Sequence, residues 1–90
     1  VIEREVEICN PLGLHARAAA RFVRLAGGFR ACVKVERGGR VMDGKSILGM
    51  LLLAASKGTR LRLLVDGEDE SQAADALAAL VAGGFGEVAE

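Results

Sequence analysis

Over residues 3–9 apolar and polar side chains alternate, with Val6 and Ile8 on one side and Glu3, Glu5 and Glu7 on the other. That period of two predicts a half-buried strand. Asn10-Pro11-Leu12-Gly13 interrupts it, and then Ala19, Phe22, Val23 and Ala26 repeat at helical spacing while Arg17, Arg21 and Arg24 line another face. An amphipathic helix is expected, ended by Gly27-Gly28. Ala31, Val33 and Val35 next alternate with Cys32, Lys34 and Glu36, Gly38-Gly39 suits a tight turn, and residues 40–43 run back as the second arm of a hairpin. Asp43-Gly44-Lys45-Ser46 breaks that strand, and Ser46 is placed to cap a second helix running through the apolar stretch to Ala55, with Lys57-Gly58 as its stop. Thr59, Leu61, Leu63 and Val65 alternate with Arg60, Arg62 and Asp66. Acids within residues 68–71 then open a last helix carrying Ala74, Leu77, Ala78 and Val81, closed by Gly83-Gly84.

The predicted order βαββαβα belongs to the α+β class. Packing three helices on one face of a four-stranded antiparallel sheet, as an open-faced two-layer sandwich, buries every apolar stripe and leaves the other sheet face to water. Residues 1–90 carry no linker, repeat or low-complexity stretch and read as a single domain.

Composition narrows the function classes. Hydrophobic residues at 51% and charged residues at 27% exclude a disordered tail. Aromatic residues at 3%, with neither Trp nor Tyr, remove the stacking platforms of single-strand binders, and the formal net charge of zero gives no polybasic tether, so no nucleic-acid partner is expected. The distribution of charge is uneven: residues 10–62 hold 11 basic and 2 acidic side chains. Either these interleave with the acidic ends across a solvated surface, or they form a face that meets anionic partners. Cys9 and Cys32 are too few for a disulfide framework and lie in no zinc-ligand spacing; both are expected to be buried thiols, with no metal and no cofactor. The longest apolar run, residues 47–55, is far short of a membrane span, and the acidic opening is unlike a signal peptide. A cytoplasmic, reducing setting without membrane insertion is expected.

Two segments offer chemistry. The run from Gly39 to Ser46 fits the phosphate-loop pattern G-x-x-x-x-G-K-S, yet its variable residues coincide with the return strand of the hairpin, and about 90 residues cannot supply the rest of a nucleotide-binding core. A nucleotide enzyme is therefore set aside. His15, the one histidine, stands immediately ahead of the first helix in Gly13-Leu14-His15-Ala16-Arg17. A lone histidine is ordinarily structural, but Arg17 in the first helical turn opposes the helix dipole at a cost of a few tenths to ~1 kcal/mol. An anion there would relieve the conflict. Helix N-terminal amides, a guanidinium able to grip phosphate at two points and an imidazole nucleophile together suit a phosphohistidine. Phosphoryl transfer is mostly positioning and charge neutralisation, so no separate general base is needed when a partner brings the donor group.

With these residues in view, Pro11-Leu12-Gly13-Leu14-His15-Ala16-Arg17, Asp43-Gly44-Lys45-Ser46-Ile47-Leu48-Gly49-Met50-Leu51 and Lys57-Gly58-Thr59, in that order, resemble the HPr family, the histidine-containing phosphocarriers of the bacterial phosphoenolpyruvate-dependent phosphotransferase system. The resemblance spans nearly the whole chain. It implies that His15 accepts a phosphoryl group on Nδ1 from Enzyme I and passes it to an Enzyme IIA-type acceptor, with Arg17 steadying the phosphate, so that the protein is a substrate of phosphotransferases rather than an enzyme. It also implies phosphorylation of Ser46 by a serine kinase/phosphorylase in some lineages, beside the plain reading of Ser46 as a helix cap. A docking patch of Ile47, Leu48 and Leu51, joined by Ala20 and rimmed by Arg21 and Arg24, fits a second helix too apolar to be buried all round. A monomer making small, transient contacts suits a carrier. A paralogous regulator of nitrogen or carbon state, acting through phosphorylation-dependent protein binding, is the alternative. Ala18 and Ala19 occupy the region where members usually carry Pro, and Glu87 and Glu90 follow Phe85 in place of a compact end, so the terminal carboxylate is given no role.

Overall fold

A computed structural model describes residues 1–86. Its strands are β1 (Ile2–Glu7), β2 (Cys32–Arg37), β3 (Arg40–Asp43) and β4 (Arg60–Asp66), and its helices α1 (Ala16–Gly27), α2 (Ile47–Leu52) and α3 (Glu70–Ala82). The strands form one antiparallel sheet in the order β1-β4-β2-β3. The pairings Val6 with Leu61, Val33 with Val65 and Val35 with both Leu63 and Met42 gather the apolar side chains on one face, as strand alternation requires. The helices cover that face, and Phe22, Met50, Leu53, Leu77, Val81 and Phe85 fill the space between the layers. The predicted fold class and element order are those observed.

The opposite face is a lattice of charges in water. Arg60 lies 3.2 Å from Glu5 and 3.6 Å from Glu7, and Arg62 lies 3.5 Å from Glu36 and 3.6 Å from Glu3. On this face the basic centre does interleave with the acidic ends. Exposed pairs of this kind contribute roughly 0–1 kcal/mol each and serve register more than stability.

Two expectations are corrected. Neither cysteine is buried: Cys32 and Cys9 are both exposed. Alternation carries Cys32 outward with Lys34, opposite Asp66, while Cys9 follows the inward Ile8 and directs Sγ to the carbonyls of Val81 and Ala82 at 3.4 Å. The second helix does not reach Ala55 but ends at Leu52. Its last carbonyls are taken by side chains from the hairpin, Arg40 Nη1 donating to Leu52 at 3.0 Å and Arg37 Nη1 to Leu53 at 2.7 Å, and Ala54 turns the chain at φ 51°. The hairpin reading of the phosphate-loop pattern holds: its residues 40–43 are β3 itself, paired to β2.

Candidate functional site

The loop from β1 to α1 is built to deliver one imidazole to a helix tip. Gly13 adopts φ +68°, a region open to glycine, and a Cβ there would lie 2.6 Å from the Ala55 carbonyl oxygen and 2.9 Å from Ser56 Cα. That close approach lets the Leu14 amide donate to the Ala55 carbonyl at 2.8 Å, so the loop is docked against the segment that follows α2. Leu14 is buried beneath it. The Gly13 amide returns to the Asn10 carbonyl at 3.1 Å, and the Gly13 carbonyl accepts from the His15 amide at 3.0 Å and from Asn10 Nδ2 at 2.7 Å.

His15 then serves as the N-cap residue of α1, in an extended conformation with φ −81° and ψ 179°. Its backbone carbonyl accepts the first intrahelical bond, from the Ala19 amide at 2.8 Å, and its side-chain Nδ1 accepts from the Arg17 amide at 3.3 Å. Ser, Thr, Asp or Asn ordinarily holds this place. An imidazole there presents the Nδ1 lone pair to the positive end of the helix, which fixes the proton of the neutral ring on Nε2. The ring is partly exposed, within reach of a docked partner. Ala18 and Ala19 are buried in the first turn, and the helix forms there without a Pro.

Arg17 is exposed, and among the described residues its guanidinium makes no hydrogen bond or ion pair. The first turn of α1 contains no acidic residue. The sequence-predicted pair therefore stands together at the start of α1, with His15 Nδ1 on the Arg17 amide.

Ser46 is the N-cap of α2, its Oγ accepting from the Gly49 amide at 3.1 Å. Beyond it the helix exposes Leu48 at 68%, Ile47 at 45% and Leu51 at 36%, while Met50 and Leu53 point into the core. Leu52, at 50%, and Leu12, at 71% in the loop that carries His15, extend the exposed apolar surface beyond the residues read from sequence. Ala20 is partly exposed. The two rim arginines differ: Arg24 is exposed and makes no polar contact among the described residues, whereas Arg21 donates Nη1 to the Phe85 carbonyl and is half-buried against the turn after α3. Both line a groove floored by Leu25, Phe29, Leu80 and Phe85, between the C-terminal ends of α1 and α3. The expectation about Glu87 and Glu90 lies outside the described residues.

Sequence reasoning missed Asn10, which it took only as punctuation. Its 3% exposure marks it as a polar side chain held in the interior. The available signal was an Asn three residues before a glycine, a spacing that suits a side-chain-to-backbone bond across a turn.

Comparison with known proteins bears on this site. A family model described as "PTS HPr component phosphorylation site" matches residues 2–83. The phosphocarrier protein HPr of Cupriavidus necator is 51% identical over 87 residues, covering 97% of this chain and 98% of its own. The phosphocarrier protein NPr of Shewanella violacea is 43% identical over 86 residues, covering 96% and 94%. A crystal structure of HPr from Thermoanaerobacter tengcongensis superposes with a TM-score of 0.94 at 39% identity, covering 99% of this chain and all of that one.

Proposed function

Since the chain belongs to the HPr family of phosphocarrier proteins, we propose that His15 takes a phosphoryl group from phosphoenolpyruvate-charged Enzyme I and yields it to an Enzyme IIA-type acceptor. The observation that carries this reading is the placement of His15 Nδ1 on the Arg17 amide at the tip of α1. In the first transfer the Nδ1 lone pair forms a bond to phosphorus as the donor's nitrogen–phosphorus bond breaks and its electron pair returns to the donor nitrogen. No proton is gained or lost in the exchange. The incoming phosphoryl oxygens replace Nδ1 as acceptors for the first-turn amides, and the Arg17 guanidinium closes on them with charge-assisted bonds. The second transfer is the same exchange reversed, toward another acceptor.

The apolar surface of Ile47, Leu48 and Leu51, with Ala20 and the rim arginines Arg21 and Arg24, is the docking patch, Arg21 being tied by its bond to the Phe85 carbonyl. Small contacts of this kind release one partner in time for the next. Incubation with phosphoenolpyruvate and Enzyme I should place an acid-labile, base-stable phosphate on the wild type and none on His15→Ala. A second reading, a regulator acting through phosphorylation-dependent binding, draws on the likeness to the Shewanella violacea relative named NPr. Transfer onward to a sugar-permease component supports the first reading; transfer that bypasses such components supports the second.

A further inference from the structure

Asn10 is the one polar residue fully withdrawn from solvent among the described residues, at 3% exposure. Such a side chain is retained in an interior only where hydrogen bonds repay its desolvation. Its Nδ2 donates at 2.7 Å to the Gly13 carbonyl, the same oxygen that accepts the His15 amide at 3.0 Å. A single carbonyl thus joins the Asn10 side chain to the backbone of the phosphorylation residue. Gly84, at φ +67°, neighbours Asn10 on another side: a Cβ there would meet Asn10 Cβ at 3.5 Å, ordinary van der Waals contact.

We propose that Asn10 is a positioning residue for His15, setting the orientation of the imidazole through the Gly13 carbonyl; its consequence for phosphoryl transfer rests on the carrier reading above. The Nδ1 bond to the Arg17 amide is 3.3 Å long, beyond the usual range for an N–H donor. The backbone that carries His15 contributes to the placement of the ring, and that backbone is fixed by the Ala55 carbonyl on Leu14 and by Asn10 on Gly13. Small misplacements of an attacking atom carry large rate penalties.

The test is Asn10→Asp, which keeps the shape and one acceptor oxygen but sets an oxygen against the Gly13 carbonyl where the donor was. Imidazole nitrogen NMR of His15 should show the Nε2-protonated tautomer dominant in the wild type and both tautomers in the variant at neutral pH. In phosphoryl transfer from Enzyme I, kcat should fall about 10- to 100-fold with KM within about twofold. The ratio to wild type should recover on acidification, as the introduced carboxyl takes up a proton and becomes a donor again. A wild-type tautomer balance in the variant, a loss confined to KM, or a loss equal at every pH overturns the proposal. If Asn10→Asp does not fold, Asn10→Ser, whose hydroxyl is too short to reach Gly13, is read by the tautomer balance and the kcat–KM split. A wild type that accepts no phosphate removes the carrier reading instead, and the tautomer comparison alone then decides the role of Asn10.

Discussion

Arg17 occupies a position that the helix resists. A cation in the first turn of α1, with no acidic residue beside it and no partner among the described residues, faces the positive end of the dipole. Arg21 and Arg24 lie further along the same helix, where that repulsion has faded, and Arg21 is satisfied by the Phe85 carbonyl. Under the proposed function the unfavourable placement of Arg17 has a physical use, because an arriving phosphoryl group would turn repulsion into two-sided attraction. Arg17→Ala should therefore leave the melting temperature unchanged or slightly raised while slowing phosphoryl acceptance roughly 10- to 100-fold, the value of a charge-assisted hydrogen bond. Rapid-quench transfer from Enzyme I and a thermal melt measure the two effects separately, and an unchanged rate would remove Arg17 from the site.

Among the elements, α2 is short and bound at both ends by side chains, by Ser46 at the start and by Arg37 and Arg40 at the finish. This holds an apolar outer face toward solvent without letting the helix slide inward. Negative charge at Ser46 is tolerated by a helix N-terminus, yet it would stand beside the proposed docking patch, whose rim residue Arg24 suits acidic partners. Ser46→Asp should raise KM for Enzyme I with little change in stability; equal transfer kinetics for variant and wild type would argue that Ser46 is a cap and nothing more. At the other end of the sheet, Asp69 precedes α3 but does not cap it. Its carboxylate accepts from the amides of Arg30 at 2.9 Å and Ala31 at 2.8 Å, tying α3 to the entry of β2. The Arg30 amide foremost, then that of Ala31, holds the Asp69 carboxyl below the usual carboxylate range, and Glu70 is lowered by the Gly67 amide and then by the N-terminal ammonium. Groups with depressed folded values lend stability that is complete above the ordinary carboxylate range and is lost as pH falls through the folded values. Asp69→Asn should therefore flatten the acid limb of a plot of melting temperature against pH, and an unaltered slope would assign the acid sensitivity elsewhere.

At the scale of the whole molecule, the two layers divide the work. The sheet supplies a platform whose outer face is occupied by its own ion pairs, and the candidate functional groups lie in the loop before α1 and on the exposed face of α2. Among the described residues no helix is long and apolar enough to cross a membrane. With the charged outer face self-satisfied, the protein should sediment as a single 9.4 kDa species at micromolar concentration. A concentration-dependent rise toward twice that mass would show that the patch, or the exposed edge of β1, pairs copies of the chain.

The sequence by itself determined what depends on neighbours close along the chain. Period two and helical spacing specify which face of each element is buried, and glycines and a Ser cap mark most of the ends; hence the element order, the sheet with one wet face, and the placement of His15 and Arg17 at a helix start were all legible. Even the outward direction of Cys32 was implicit in the alternation, and the expectation of a buried thiol followed the residue type instead. The tertiary structure alone decided which polar groups find partners far away in the chain: Arg37 and Arg40 on the end of α2, Arg21 on Phe85, Asp69 on the amides ahead of β2, and Leu14 on Ala55. These contacts leave no periodic trace, because a hydrogen bond needs only one donor and one acceptor brought together by packing. Among them the Leu14 bond to Ala55 docks the loop that carries His15, so the candidate chemistry was readable one residue at a time and its geometry was not.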